Sequence, residues 1–480
     1  MKKKLLSALV SVAMVASMVT GCGTTNAPAD ANDAAAGDAT ATEAGTEAGE
    51  ATTEESTEVE PEAVTTVGDA NGTHMEMWSF VELHNTFYGK MVEKWNAANP
   101  DRPIEITFTT YPYADMHNKL LMSLQTGTGA PDLCDVEVGQ FPNVVEGVDT
   151  WLYPLDDAAA PYMETMVQSR MDTYAGADGK HYGAPFHVGA TVMYYNMAAL
   201  EEAGFTQADV DAIKTWDDYT ALGEKYVAAV NQEGKYFTSV DTAGVDWEWL
   251  AMAEYGEDWT GGFEGPANVQ LESVKKMLNM QVGWLDSGVA EVSPDGHVDL
   301  EAGFQNILDH NIVSFPKAMW YMSRFTNYMP EEKGNWYIAP CPTFEAGQPN
   351  SVGIGGTGTV VTQQAADAAL AADFLCFAKM SMDGEQMIWE DLGFDVCNTA
   401  MWSDESIIHD DNNQYNAFFR NYPYDVLNEI KDSIGKISVV AISPTINEDM
   451  CNVTLNDILE NGVSVDDALQ ASQDTIDLEQ

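Results

Sequence analysis

The sequence predicts an α/β fold spread over more than one domain, and two observations lead there. The first is a hydrophobic period that switches between strand and helix spacing. Met75–Phe80 reads as a short strand, after which Phe87, Met91, Val92 and Trp95 recur at helical spacing over residues 87–98. Ile104–Thr110 alternates as a second strand, Met116–Leu124 forms a second helix closed by a Gly127–Pro131 breaker, and Asp132–Val138 is a third strand. This rhythm indicates parallel pairing with right-handed crossovers, in which ligands collect beyond the carboxyl ends of the strands. The second observation is length: about 460 residues follow the N-terminal segment, room for two or three domains with sizeable cores.

That N-terminal segment has the order of an export signal. Lys2, Lys3 and Lys4 are a basic start, Leu5–Met18 an apolar stretch too short for a permanent membrane span, and Val19–Cys22 a small-residue cleavage site. It resembles a bacterial lipoprotein signal (residues 1–21), and the resemblance implies that Cys22 becomes a lipid-bearing N-terminus; a plain secretory signal is the alternative. Residues 22–72 are rich in Ala, Thr, Glu, Asp and Gly and lack Lys and Arg, which reads as a disordered acidic tether with a reach of about 40 Å. Beyond Cys22, Cys134, Cys341, Cys376, Cys397 and Cys451 are scattered without a CxxC pair, so the sequence predicts no metal site and leaves their pairing open.

The formal charge of -55 repels nucleic acid phosphate and anionic headgroups, excluding both as partners. No HExxH, GxSxG or P-loop is present. Gly353, Gly355 and Gly358 satisfy GxGxxG, but the next residues, Thr359–Thr362, read as a strand rather than the helix a dinucleotide site needs. A carboxylate pair at glycosidase spacing exists only in three dimensions, so a secreted glycoside hydrolase stays open on the residues alone.

Further along, Pro185 precedes Tyr195-Asn196, the helix Met197–Ala203 ends in Gly204, and Thr215 caps a helix whose first turn holds Asp217 and Asp218. With Cys341–Pro349, Gly353–Thr362, a helix over 365–380 and a last amphipathic helix at Val465–Leu469, this ordered set resembles the bacterial extracellular solute-binding proteins of the maltose-binding type. The resemblance implies a two-lobed, type II periplasmic-binding-protein-like fold with a hinge and a central cleft. Lobe one would comprise residues 73–186 plus 357–408, and lobe two 187–356 plus 409–480. It further implies a monomer without cofactor or catalysis, which captures a neutral mono- or oligosaccharide and hands it to ABC permease subunits in the membrane that its own lipid holds it against. A peptide or polyamine is the alternative guest.

Sugar rings have apolar faces and hydroxylated rims, so their sites combine flat aromatic walls with carboxylates, amides and imidazoles. Trp320, after Asn311–Phe315, matches the family's sugar-stacking tryptophan. Phe80, Glu82 and His84 follow the first strand with Tyr111 after the second; Glu137 and Gln140 follow the third. His187 lies in the first crossing between lobes, Asp246 and Trp247 precede a lobe-two helix, Gly355 and Gly356 let backbone approach the cleft, and Arg324 sits near Trp320. Where the maltose protein adds an aromatic wall, this chain reads Asn447–Met450, so maltose is not the expected guest.

Overall fold

The computed structural model describes residues 60–145, 151–261 and 266–479; the signal, Cys22 and most of the tether lie outside them. Strands β1 (Ala63–Gly68), β2 (Thr73–Ser79), β3 (Ile104–Thr110), β4 (Leu133–Glu137) and β5 (Gly183–Pro185) belong to one sheet, which a late strand joins. Strands β6 (Thr191–Asn196), β9 (Ser314–Ala318) and β10 (Trp336–Ala339) make a second, antiparallel sheet, and the short β7 (Thr238–Val240) and β8 (Ala290–Val292) pair beside it. The chain then runs through β11 (Ser351–Val352) back to β12 (Thr357–Val361) of the first sheet, and β13 (Ile434–Gly435) pairs parallel with β11.

The first sheet has the order β1-β3-β2-β4-β12-β5. Its core β3-β2-β4 is parallel, as the strand–helix rhythm predicts, and β12 inserts antiparallel between β4 and β5. β4 reads Leu-Cys-Asp-Val-Glu because both its faces are covered, so four of its five residues are buried. The helices Glu82–Ala98 and Tyr113–Thr126 begin several residues earlier than periodicity indicates, since their first turns carry polar residues. Thr215 caps the helix Trp216–Val230 as read, in a reciprocal capping box with Asp218.

One sequence reading needs correction. Residues 63–68, assigned to the tether, form edge strand β1, paired antiparallel with β3 from Ala63 opposite Thr110 to Gly68 opposite Glu105. An edge strand is held by main-chain bonds and needs little apolar surface; Val64 remains 57% exposed. The folded region therefore starts about ten residues earlier.

Three crossings link the sheets: 186–190 between β5 and β6, 353–356 between β11 and β12, and a third through 431–440 that carries β13. The first two bond to each other, with Ile354 N–H donating to Gly189 O at 2.9 Å and Ala190 bridged to Gly353. Beneath the first sheet lies a buried polar network. Asp135, fully buried, takes His84 Nδ1 at 2.9 Å and Thr359 Oγ1 at 2.6 Å, and Lys379 Nζ donates to Thr359 Oγ1 at 2.9 Å. Lys379 Nζ also stands 3.3 Å from the centre of the Phe186 ring, and its desolvation pushes its pKa down to about 7. Cys134, Cys341, Cys376 and Cys397 are buried free thiols and Cys451 a half-buried one. Among the described residues no helix is long and apolar enough to cross a membrane.

Burial raises six carboxyls: Glu137 and Asp395 to about 7, Glu248 to about 8, Glu385 well above the usual range, and Glu254 and Glu291 above it. Folded, they keep protons that the unfolded chain has already released above about pH 4.5, so each subtracts stability as pH rises. His117, pushed down to about 4, and His187, held well below the usual imidazole range by burial, act in the opposite sense up to about pH 6.5. Six groups outweigh two. The melting temperature is expected to fall between pH 5.5 and pH 7 in calorimetric scans at constant ionic strength; a rise over that range would contradict the assignment.

Candidate ligand recess at the crossings

A recess of about 430 Å³, including its open mouth, lies where the crossings meet. Val138, Arg170 and Thr173 form its wall on the first-sheet side, Gly353 and Gly355 its floor, Trp249 a wall from the second-sheet side, and Lys436 and Ile437 of the third crossing its remaining edge. The walls hold two cations and, among the described residues, no carboxylate. In a chain with 76 acids and 21 lysines and arginines, that runs against the overall balance.

Trp249 stands on the helix Asp246–Tyr255, two residues and about 200° round from Trp247. Trp247 is 2% exposed and packs on Trp284 (ring centres 5.3 Å apart) and Trp216 (5.6 Å). Because Trp247 turns inward, Trp249 is directed to the recess. Its indole Nε1 is shielded from solvent and has no hydrogen-bond partner among the described residues, a cost that an acceptor in the recess would remove.

Trp320 borders the recess without lining it. Its Nε1 donates to Ile354 O at 3.1 Å, its ring lies against Gly355, and the guanidinium of Arg324 sits 5.4 Å from the ring centre. Arg324 is itself held by Asp299 at 2.8 and 3.3 Å, so its charge is spent on a partly buried pair rather than offered to a ligand. Gly355 and Gly356 have φ of +64° and +122°, which glycine adopts freely. At Gly356 a Cβ would collide with the Arg170 guanidinium.

The remaining expected residues fall into two groups. At the carboxyl ends of β2 and β4, Phe80 meets Tyr113 edge-on at 5.2 Å and lies 5.1 Å from His117. There Glu137 accepts from Gly139 N–H at 2.6 Å and Tyr113 Oη at 3.3 Å, and Gln140 accepts from Asn143. Tyr111 is buried edge-on against Trp78, and Glu82 is exposed in the first turn of its helix. The second group is turned away from the recess by stronger partners. His84 is buried on Asp135, Asp246 pairs with the buried Lys317 at 2.6 Å, and Trp247 fills the aromatic core. His187 is buried against Phe394 at 4.8 Å, next to Val188 of the recess wall. Sequence reading missed Arg170 and Lys436, and counted Trp249 among the candidate aromatic walls without singling it out.

Comparison with known proteins decides the family. The sequence profile of the bacterial extracellular solute-binding proteins matches residues 81–379. The arabinooligosaccharide-binding protein of Halalkalibacterium halodurans is 36% identical over 422 residues, which take in 87% of this chain and 92% of that protein. The chain belongs to the bacterial extracellular solute-binding proteins. A second solute-binding protein of the family, the arabinooligosaccharide-binding protein of Bacillus subtilis, is 36% identical over 379 residues, 77% of this chain and 84% of that one. The sugar-binding protein MalE from Xanthomonas citri superposes with a TM-score of 0.70 at 18% identity, covering 84% of this chain and 96% of its own. The fold is thus the two-lobed α/β type of the MalE-like binding proteins, and membership in the family places the chain outside the cytoplasm.

If Trp247 is core and Trp249 is wall, their replacements separate cleanly. Trp247→Ala is expected to cost about 3–5 kcal/mol in denaturant unfolding, and Trp249→Ala, at a half-buried position, about 1–2 kcal/mol. Equal losses at the two positions would overturn the division.

Proposed function

We propose that this solute-binding protein captures an oligosaccharide in the recess at the crossings, with arabinose-containing chains the first to test, and delivers it unaltered to an ABC importer. The observation that carries the reading is the 36% identity over nearly the full length of a protein named for binding arabino-oligosaccharides. The recess supports it. Trp249 supplies a flat apolar wall with an unsatisfied donor at its edge. Covering a ring face of about 100 Å² is worth roughly 2.5 kcal/mol, so two such walls would give more than half of a micromolar affinity.

The ligand would bind one lobe first, and contacts with the other would then favour the closed form that a permease recognises. We assign lobe one to residues 73–186 plus 357–408, extended by β1 and by the segment 409–430, whose Tyr415 and Tyr424 pack on Trp389, and lobe two to 187–356 plus the chain beyond the third crossing, 441–480. Lipid on Cys22 and the acidic tether would hold a monomeric receptor near its permease. Arg170 and Lys436 in the walls disfavour a polyamine, and the absence of a lining carboxylate among the described residues favours capture over two-carboxylate hydrolysis.

Titration calorimetry against arabinotriose, maltotriose, a tripeptide and spermidine tests the reading. Heat is expected with arabinotriose, with the sugar recovered intact. Trp249→Ala and Trp320→Ala are each expected to weaken binding roughly tenfold, about 1.4 kcal/mol. Binding of spermidine or the peptide alone, or shortened sugar products, would refute it.

A further inference from the structure

Arg170 is 5% exposed, yet its hydrogen bonds go to main-chain carbonyls rather than to a carboxylate. Buried guanidinium groups ordinarily take an acid as partner. Here Nε donates to His187 O at 2.8 Å and Nη2 to Gly355 O. Those carbonyls belong to different crossings, His187 to the first and Gly355 to the second. The arginine reaches both from the short helix Gln168–Asp172 on the first-sheet side.

The surroundings are cut to fit it. A Cβ on Gly356 would lie 1.8 Å from Nη2, so that position has no room for a side chain while Arg170 is in place. Gly189, Gly355 and Gly356 have positive φ, the conformational freedom that a twist between the lobes uses. A planar guanidinium presents its donors in a fixed fork, so it meets both carbonyls in only one relative placement of the crossings. Its third nitrogen, Nη1, makes no hydrogen bond to a described residue, and Arg170 lines the recess.

We propose that Arg170 is the positioning residue that couples capture to closure: a ligand oxygen accepts from Nη1, and the same guanidinium then fixes both crossings in the closed arrangement. This rests on the recess being the sugar site proposed above. It separates two jobs within that site, with Trp249 supplying affinity and Arg170 converting occupancy into lobe geometry.

Small-angle scattering of the full mature chain, with and without saturating arabinotriose, tests it alongside calorimetry. Two variants break the clasp by independent routes: Arg170→Lys removes the fork and keeps the charge, and Gly356→Ala drives a methyl group into the place of Nη2. Wild type and Trp249→Ala are expected to compact to the same radius of gyration at saturation. Arg170→Lys and Gly356→Ala are expected to bind roughly tenfold more weakly and, even when saturated, to stay larger than the wild type. Full compaction of both clasp variants would overturn the proposal. If the wild type gives no heat with arabinotriose, the sugar assignment fails and the ligand-free proteins decide: a larger radius in both clasp variants sustains the coupling role, and radii equal to the wild type reject it.

Discussion

The two sheets share one chain through three narrow crossings, and the polar main chain there must find its hydrogen bonds within that waist. Asp395 supplies part of the answer, its carboxylate accepting from Ala190 N–H at 2.7 Å and its carbonyl from Val188 N–H at 2.8 Å. Arg170 supplies the complementary donors to His187 and Gly355. An acid and a base, each almost wholly buried, thus serve the backbone instead of each other. The apolar packing is extensive, and one buried cluster reaches from Leu133 and Val361 of the first sheet to Tyr194, Phe315 and Trp336 of the second, but it would not place the recess without this waist.

The same waist explains where the recess-lining residues are found. Parallel strands deliver their carboxyl ends to one rim, so β4 brings Val138 to the recess and ties it there through Val138 N–H to Gly356 O at 2.8 Å. The helix Asp246–Tyr255 brings Trp249 from the second side, and the third crossing contributes Lys436 and Ile437. A cationic rim inside a strongly acidic protein suits hydroxyl-rich guests, since arginine and lysine donate to sugar oxygens while the outer surface repels other polyanions.

Much of the architecture was legible because it depends on period. The limits of β3 agree with its alternation, and the capping box at Thr215 announced its helix. Edge strand β1 was hidden because its pairing is paid in main-chain bonds that no side-chain pattern reports. The site was harder for a related reason: type and position do not say which way a side chain turns. His84 and Asp246 look like loop acids and bases suited to hydroxyl groups, yet each meets a buried opposite charge, Asp135 and Lys317, from a strand remote in sequence. Trp247 and Trp249 differ only in phase on one helix. Arg170, in a short stretch without a motif, owes its importance to two carbonyls that the sequence brings close only after folding.

The central claim, that an oligosaccharide is held at the crossings, is tested most directly by hydrogen–deuterium exchange with and without saturating arabinotriose. The account predicts slowed exchange in the peptides covering 168–174, 246–252, 353–357 and 434–439, with the outer helices Glu272–Ser287 and Met382–Leu392 unchanged. Protection confined to those outer helices, with the crossings unaffected, would contradict it.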